Sequence, residues 1–258
     1  MPALILTIDE EIARVTLARP DVRNAFNAEL IAELRETFDR LCDDPHVRVI
    51  VLAGEGKSFC GGADIHWMRG ALDLSYDENL ADAERMSDMF RAIDRCRKPV
   101  VGRIQGAALG GGAGLAAVCD IVVASDDAVF GFTEVKLGII PAVISPFVLA
   151  KIGASYARAL FLTGERFLAP RAKEIGLVHE VVPADDLDGA VQRVVKEVLT
   201  AGPLAVAAAK QVICDVRAAS YEASRELTAR AIAAQRITPE GQEGLYAFVE
   251  RRKASFSL

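Results

Sequence analysis

Four consecutive apolar residues, Val49-Ile50-Val51-Leu52, predict a β-strand whose two faces are both covered by other elements. Residues 99–104 and 121–124 show the same kind of short apolar run and predict two further strands. Between these runs the apolar residues recur at helical spacing, as in the segment that Asn27 can cap. Strands that alternate with helices in this way predict an α/β fold.

The two ends of the chain show different patterns. Residues 4–8 and 13–17 flank a polar turn at 9–11 and predict an antiparallel hairpin. After residue 185 the chain shows four helical segments and no linker composition. We therefore predict one core domain over residues 1–200 and a C-terminal helical region over residues 201–258.

Composition excludes several classes of function. Of the 258 residues, 52% are hydrophobic and the formal net charge is −6, which suits a protein with a large core and disfavours nucleic acid binding. The N-terminus lacks the features of a signal peptide, and the longest apolar runs are too short to span a bilayer. The five cysteines stand at no metal-ligand spacing. We expect a cytoplasmic protein with reduced core thiols, no metal and no membrane or nucleic acid partner.

Two glycine-rich stretches carry the chemical signal. Residues 58–64 follow a predicted strand, and residues 106–116 lie between a strand and an apolar helix. A glycine run that opens a helix can present unpaired N–H groups and the positive end of the helix dipole, which suits an anion or an oxyanion. The same glycines could instead serve only tight turns and close packing. Their spacing does not form a dinucleotide-binding motif.

Motifs along almost the whole chain resemble the enoyl-CoA hydratase/isomerase (crotonase) superfamily. The matching stretches are 19–20, 24–26, 56–64, 105–112, 119–120, 130–138, 172–178 and 248–253. This resemblance implies the crotonase-type ββα spiral with a helical C-terminal extension. It also implies an acyl-CoA substrate and no cofactor other than the coenzyme A of that substrate. The resemblance further implies a homotrimer or a dimer of trimers, with residues 201–258 as the oligomerisation region.

The resemblance also assigns catalytic roles to individual residues. The backbone N–H groups of Ala63 and Gly111 are expected to hold the thioester oxygen, and Glu134 is the expected catalytic carboxylate. If Glu134 faces an apolar pocket, its pKa should rise, which favours proton transfer near neutral pH. Many hydratases of this family carry a second glutamate at the position of Gly114. Possible substitutes for that missing group are Asp82, Glu84, His66 and Ser145.

Further resemblance concerns the acyl group. The segment that begins at Pro141, with Pro146 and Phe147, is similar to that of methylglutaconyl-CoA hydratases of leucine breakdown and their relatives for larger glutaconyl-CoA esters. Such an acyl group carries a distal carboxylate, for which the candidate partners are Arg69, Arg91 and Lys136. Trp67 is expected to pack in the core or the pocket.

The remaining predicted site residues are implied by the same resemblance. The stretch Ala63-Asp64-Ile65 is expected to line the coenzyme A side of the pocket, and Gly110, Gly111, Gly114 and Pro141 to line the acyl side. Phe248 and Arg251 are expected to reach the coenzyme A of a neighbouring subunit. The cluster Arg251-Arg252-Lys253 suits a phosphate, although a basic run also favours the end of a helix.

The sequence thus predicts a hydratase that adds water reversibly across the 2,3 double bond of an enoyl-CoA, with 3-methylglutaconyl-CoA as the expected substrate. Two alternatives stay open. The first is a double-bond isomerase that uses Glu134 alone. The second is a non-catalytic member that binds coenzyme A or RNA, against which the net negative charge and the retained glycine loops and Glu134 speak.

Overall fold

The computed structural model describes residues 2–257 and confirms the α/β class. The strands are β1 (Leu4–Asp9), β2 (Ile12–Leu17), β3 (Val49–Gly54), β4 (Val100–Ile104), β5 (Ala107–Leu109), β6 (Ile121–Ser125), β7 (Val129–Gly131), β8 (Arg166–Leu168) and β9 (Glu180–Val182). Over the described range, one sheet has six strands in the order β1-β2-β3-β4-β6-β9, and a second has three in the order β5-β7-β8.

The helices alternate with these strands and then take over at the C-terminus. They are α1 (Ala28–Asp43), α2 (Ile65–Ala71), α3 (Tyr76–Arg95), α4 (Gly111–Val118), α5 (Ser145–Thr163), α6 (Ala169–Glu174), α7 (Leu187–Leu199), α8 (Pro203–Ala218), α9 (Tyr221–Arg236) and α10 (Pro239–Glu250). Short 3₁₀ turns cover Pro20–Val22, Glu134–Leu137 and Ala184–Asp186. Helix α7 begins at Leu187 because a 3₁₀ turn precedes it, and α10 ends at Glu250 because Arg251 is left-handed, with φ 57°.

Local sequence explains the first elements. β1 and β2 pair antiparallel with Leu4 opposite Leu17, as the predicted hairpin requires. The Asn27 side chain accepts a hydrogen bond from the Leu30 N–H at 2.9 Å, so it caps α1 as predicted.

The large sheet is covered on both faces, as the apolar run in β3 predicts. Ile50 and Leu52 point into the main core, whereas Val49 and Val51 belong to a second apolar cluster with α7. From β2 to β9 the neighbouring strands of this sheet are parallel, so their carboxyl ends lie at one edge. The glycine loops that follow β3 and β4 therefore emerge on the same side of the sheet.

The cysteines form no disulfide in residues 2–257. Cys60, Cys96 and Cys119 are buried, and burial raises the pKa of each thiol to about 12. These three thiols are core residues, as expected.

No single helix within the described range is long and apolar enough to cross a membrane. Two consecutive segments joined at a bend of 101°, Ala184–Leu199 and Pro203–Ala218, are long and apolar enough only when taken together, by length and composition alone.

Candidate active site

The N-terminus of α4 presents the first unpaired backbone donor. The Gly110 carbonyl accepts a hydrogen bond from the Gly114 N–H at 3.0 Å, so it points along the helix. Because the trans peptide unit is planar, the Gly111 N–H of the same unit points the opposite way, out of the helix start. Among residues 2–257 this N–H has no acceptor, whereas the Gly110 N–H donates to the Gly131 carbonyl at 2.8 Å.

Ala63 presents the second donor by the same geometry. Phe26 and Ala63 form an isolated parallel bridge, in which the Phe26 N–H donates to the Gly62 carbonyl at 2.7 Å. The Asp64 N–H in turn donates to the Phe26 carbonyl at 2.9 Å. The Ala63 N–H shares a peptide unit with the Gly62 carbonyl and so points away from Phe26. It makes no hydrogen bond within the part of the chain that the structure describes.

The two donors lie on neighbouring segments. The Cys60 N–H donates to the Ala107 carbonyl at 2.9 Å, and the Leu109 N–H donates to the Cys60 carbonyl at 3.0 Å. A Cβ atom on Gly112 would lie only 2.3 Å from the Cys60 carbonyl oxygen, so glycine is required for this approach. The stretch that leads to Ala63 therefore runs directly beside the stretch that leads to Gly111.

Glu134 places a carboxylate against the same glycines. It begins the 3₁₀ turn Glu134–Leu137, and a Cβ atom on Gly110 would lie 3.2 Å from its Oε1. Its Oε2 is buried and has no hydrogen-bond partner among residues 2–257. Burial raises the pKa of Glu134, and a hydrogen bond from its own backbone lowers this pKa by a smaller amount. A desolvated carboxylate next to an unpaired N–H donor is suited to proton transfer.

Gly114 has no space for a side chain. A Cβ atom there would lie 2.4 Å from Ile144 Cγ2 and 3.1 Å from Phe90 Cζ. Phe90 in turn packs between Phe26 and Phe147, with ring centroids 6.1 Å and 5.8 Å away. A row of aromatic rings and Ile144 therefore fills the space that a second glutamate would need.

The proposed substitutes for that glutamate lie in other contacts. Asp82 pairs with Arg85 at 2.9 Å and lines a cleft of about 340 Å³ between α1 and α3 that does not include Glu134. The Ser145 hydroxyl donates to the Ala142 carbonyl at 2.7 Å. Both Glu84 and His66 are exposed. None of the four forms a hydrogen bond with Glu134 within residues 2–257.

The residues expected along the coenzyme A side have distinct environments. Ala63 and Ile65 are exposed, but the Asp64 side chain is buried and caps α2 by accepting from the His66 N–H at 2.8 Å. Trp67 is half-buried against the main core, as its packing prediction requires. Pro141 is buried near Ile144.

The C-terminal residues predicted to bind coenzyme A lie on helix α10 and at its end. Phe248 on α10 is 84% exposed, and Arg251 ends that helix in an exposed position. Arg252 forms a two-point ion pair with Glu243 at 2.7 and 2.9 Å, so its charge is already partnered. Of the predicted basic cluster, Arg251 and Lys253 form no ion pair in the described chain.

The three cationic side chains proposed to bind the distal carboxylate of the acyl group are all exposed to solvent. Arg69, Arg91 and Lys136 are exposed, and none of them forms an ion pair within residues 2–257. Their charges are therefore available to an anionic group.

Sequence reasoning missed several residues around the two donors. Arg19 binds Asp64, and Asn24 donates to the Glu55 and Ser58 carbonyls at 2.9 and 2.8 Å. Met86 and Phe26 pack against Gly111. An aspartate directly before a helical segment is a capping signal, which could have identified the structural role of Asp64. The other contacts join distant segments and leave no local pattern.

Comparison with known proteins finds relatives that match the chain over almost its full length. A crotonyl-CoA hydratase of Syntrophomonas wolfei is 33% identical over 98% of this chain and 97% of its own length. The solved structure of an enoyl-CoA hydratase from Shewanella pealeana superimposes with a TM-score of 0.94 at 36% identity, over 98% of this chain and 95% of the other. Pseudomonas aeruginosa AtuE gives 0.96 at 35%, over 99% and 100%. These neighbours confirm the predicted crotonase-type fold.

The family model described as enoyl-CoA hydratase/isomerase matches residues 7–257, nearly the whole chain. Together with relatives more than 30% identical over almost their full length, this match shows that the chain belongs to the enoyl-CoA hydratase/isomerase family.

Proposed function

We propose that this protein is an enoyl-CoA hydratase that adds water reversibly across the 2,3 double bond of the thioester. One observation carries the proposal: the Glu134 carboxylate, whose Oε2 is buried without a partner, lies against Gly110, immediately before the Gly111 N–H that is unpaired within residues 2–257. A base and an oxyanion donor are thus adjacent, as the hydration of a conjugated thioester requires. The names of the relatives support the same reaction class.

In the proposed mechanism, ionised Glu134 takes a proton from a water molecule whose oxygen attacks C3. The double-bond electrons move onto the thioester oxygen, which accepts hydrogen bonds from the Ala63 and Gly111 N–H groups. Glu134 then returns the proton to C2 on the same face, so that one water molecule has been added. Loss of one such donor typically costs about 10²–10³ in rate. The crowding at Gly114 supports a mechanism with one carboxylate.

For the acyl group we propose 3-methylglutaconyl-CoA, from leucine breakdown. The segment from Pro141 to Phe147 supports a branched acyl chain, because Ile144 and Phe147 supply apolar surface beside Gly114 and Phe90. An unpaired cation would bind the distal carboxylate, and Arg69 on α2 is the candidate whose helix begins two residues after Ala63.

A double-bond isomerase is the second candidate, and the filled space at Gly114 favours it. An isomerase moves a proton from C2 of a 3-enoyl-CoA to C4 and needs only one base. Glu134 would serve both steps, and no solvent oxygen would enter the product.

Incubation in ¹⁸O-labelled water distinguishes these candidates. We expect mass spectrometry to find label in the 3-hydroxyacyl product, with faster turnover of 3-methylglutaconyl-CoA than of crotonyl-CoA. Preference for crotonyl-CoA would overturn the acyl assignment alone. A shifted double bond without label, from a 3-enoyl-CoA, would replace the hydratase by the isomerase.

We also propose that the protein assembles as a homotrimer or a dimer of trimers through its C-terminal helices. Helix α10 exposes Phe248 and Val249 at 84% and 77%, and α9 exposes Ile232 and Tyr221. Apolar side chains this exposed favour burial against another subunit. Phe248 and Arg251 would then reach the coenzyme A of the neighbouring subunit.

A further inference from the structure

The Ala63 N–H owes its direction to the bridge between residues 62–64 and Phe26. The Gly62 carbonyl is held by Phe26, and the Ala63 N–H is on the opposite side of that same planar peptide unit. Any rotation of this unit would turn the donor away from the substrate oxygen. Gly62 has φ 101°, a conformation that side-chain-bearing residues rarely adopt, so glycine is needed at this position of the unit.

Arg19 contacts both sides of this bridge with one guanidinium group. Its Nη2 donates to Asp64 Oδ2 at 2.7 Å, and its Nη1 donates to the Ala25 carbonyl. Ala25 directly precedes Phe26, and Asp64 directly follows Ala63. The planar guanidinium therefore joins the two chain segments at the point where the donor is formed.

The ion pair is protected from water and connected on both sides. The Asp64 side chain is 6% exposed and that of Arg19 is 20% exposed. The Arg19 backbone N–H also donates to Asn24 Oδ1 at 2.8 Å, and Asp64 Oδ1 accepts from the His66 N–H. Burial alone would raise the pKa of Asp64, but Arg19 and the His66 N–H hold it below its ordinary value. Asp64 therefore stays ionised at neutral pH.

We propose that Arg19 and Asp64 are positioning residues that orient the Ala63 N–H toward the thioester oxygen. This inference rests on the proposed acyl-CoA function. The pair touches neither the reacting atoms nor Glu134. Its effect on the reaction passes through the direction of one backbone donor, so it should act on the transition state more than on substrate binding.

Asp64→Asn is the most selective test. Asparagine caps a helix as well as aspartate does, so α2 keeps its cap while the charge that binds Arg19 is lost. We expect kcat for the preferred enoyl-CoA to fall about tenfold to a hundredfold, with little change in KM. Arg19→Gln should behave similarly. Arg19→Lys keeps the charge but cannot hold both partners, so it should fall between the wild type and Arg19→Gln.

A spectroscopic probe separates donor geometry from general instability. Cinnamoyl-CoA is a conjugated thioester whose ultraviolet absorption shifts to longer wavelength when donors polarise its carbonyl. We expect Asp64→Asn and Arg19→Lys to bind it but to lose much of the red shift seen with the wild type. The matched control is Arg103→Gln, which breaks the Arg103–Asp188 ion pair at 2.7 Å around an arginine side chain 19% exposed. This control should keep both the red shift and kcat.

The inference fails if folded Asp64→Asn or Arg19→Lys keeps the red shift and kcat of the wild type. It also fails if Arg103→Gln loses as much of both as they do. If Asp64→Asn and Arg19→Gln do not fold, the red shift and kcat of Arg19→Lys decide between these outcomes. If the wild type neither turns over any enoyl-CoA nor shifts the cinnamoyl-CoA spectrum, the proposed function itself is wrong, which is a distinguishable result.

Discussion

Glu134 combines two properties that a surface glutamate lacks: a buried oxygen without a partner and direct contact with a glycine-lined backbone. Glutamate is rarely left buried without compensation, because desolvation of its charge is costly. A glutamate kept in that condition beside the Gly110–Gly111 peptide unit, whose N–H is unpaired within residues 2–257, is a strong candidate for catalysis. At the residue scale, therefore, the proposed chemistry assigns the proton transfers to one carboxylate.

Glu134→Gln should lower kcat by about 10²–10⁴-fold, because glutamine keeps the shape but cannot accept the proton. Coenzyme A binding should be nearly unchanged, as measured by titration calorimetry with free coenzyme A. Glu197→Gln, at an exposed position on α7, is the matched control and should keep full activity. Full turnover in Glu134→Gln would remove Glu134 from the mechanism.

The pH dependence follows from the same residue. Since burial raises the pKa of Glu134 and the base must be ionised, kcat should fall as pH drops through a value above the ~4.3 of an ordinary glutamate. The raised pKa also means that ionised Glu134 costs stability, a cost absent below the unfolded pKa and complete above the folded pKa. Glu134→Gln should thus raise the Tm at pH 8 more than at pH 4. An acidic limb at or below 4.3 would contradict the assignment.

Helix α4 both presents the Gly111 N–H donor and determines how closely apolar side chains pack beside it. It begins at Gly111, whose N–H is unpaired within residues 2–257, and Gly111 and Gly114 lie three residues apart on one face. Phe26 packs on the first and Phe90 with Ile144 on the second. The absence of side chains on this face allows the aromatic row to approach the helix closely. The element that offers the N–H group thus also fixes the apolar wall beside it.

Gly114→Ala should destabilise the protein by about 1–3 kcal/mol, because its Cβ would overlap Ile144. Combined with Ile144→Ala, it should cost less than the sum of the two single changes, since the second removes the clashing methyl group. Urea denaturation measures these free energies of unfolding.

The matched control for this change is Gly189→Ala on α7. A Cβ there meets only the end of Arg193, at 4.0 Å, so this variant should gain up to about 1 kcal/mol of stability. Equal effects of Gly114→Ala and Gly189→Ala would show that Ile144 does not fill the Gly114 position.

At the scale of the whole molecule, the exposed apolar side chains separate into regions. Helices α9 and α10 expose several, and so do strand β1, the segment from α2 into α3, and residues 137–140, whereas the central strands β3, β4 and β6 are largely buried. The exposed apolar side chains of α9 and α10 suit the proposed contact of these helices with other copies of the chain.

Val249→Glu should convert the proposed trimer to monomers, because a buried unpaired charge is costly at an interface. Light scattering measures the mass of the assembly. Phe248→Ala should keep the proposed trimer but weaken coenzyme A binding. Leu162→Glu, which also replaces an exposed side chain but on α5, is the control and should keep the trimer. A wild-type protein of monomer mass would contradict the proposed assembly.

Sequence alone determined the features that depend on neighbouring residues. The Asn27 cap, the β1–β2 hairpin and the doubly covered strand β3 follow from local periodicity and capping chemistry. The motif resemblance also named Ala63, Gly111 and Glu134, whose catalytic roles stay predictions until they are measured.

Only the tertiary structure decided how distant segments meet. Arg19 reaches Asp64 across 45 positions of sequence, and Ile144 fills the space at Gly114 from 30 positions away. Periodicity extends only over a few residues, whereas these contacts depend on how the sheet, α4 and the loops pack together. For that reason the sequence could name the missing second glutamate, but only the packed structure shows that its place is already occupied.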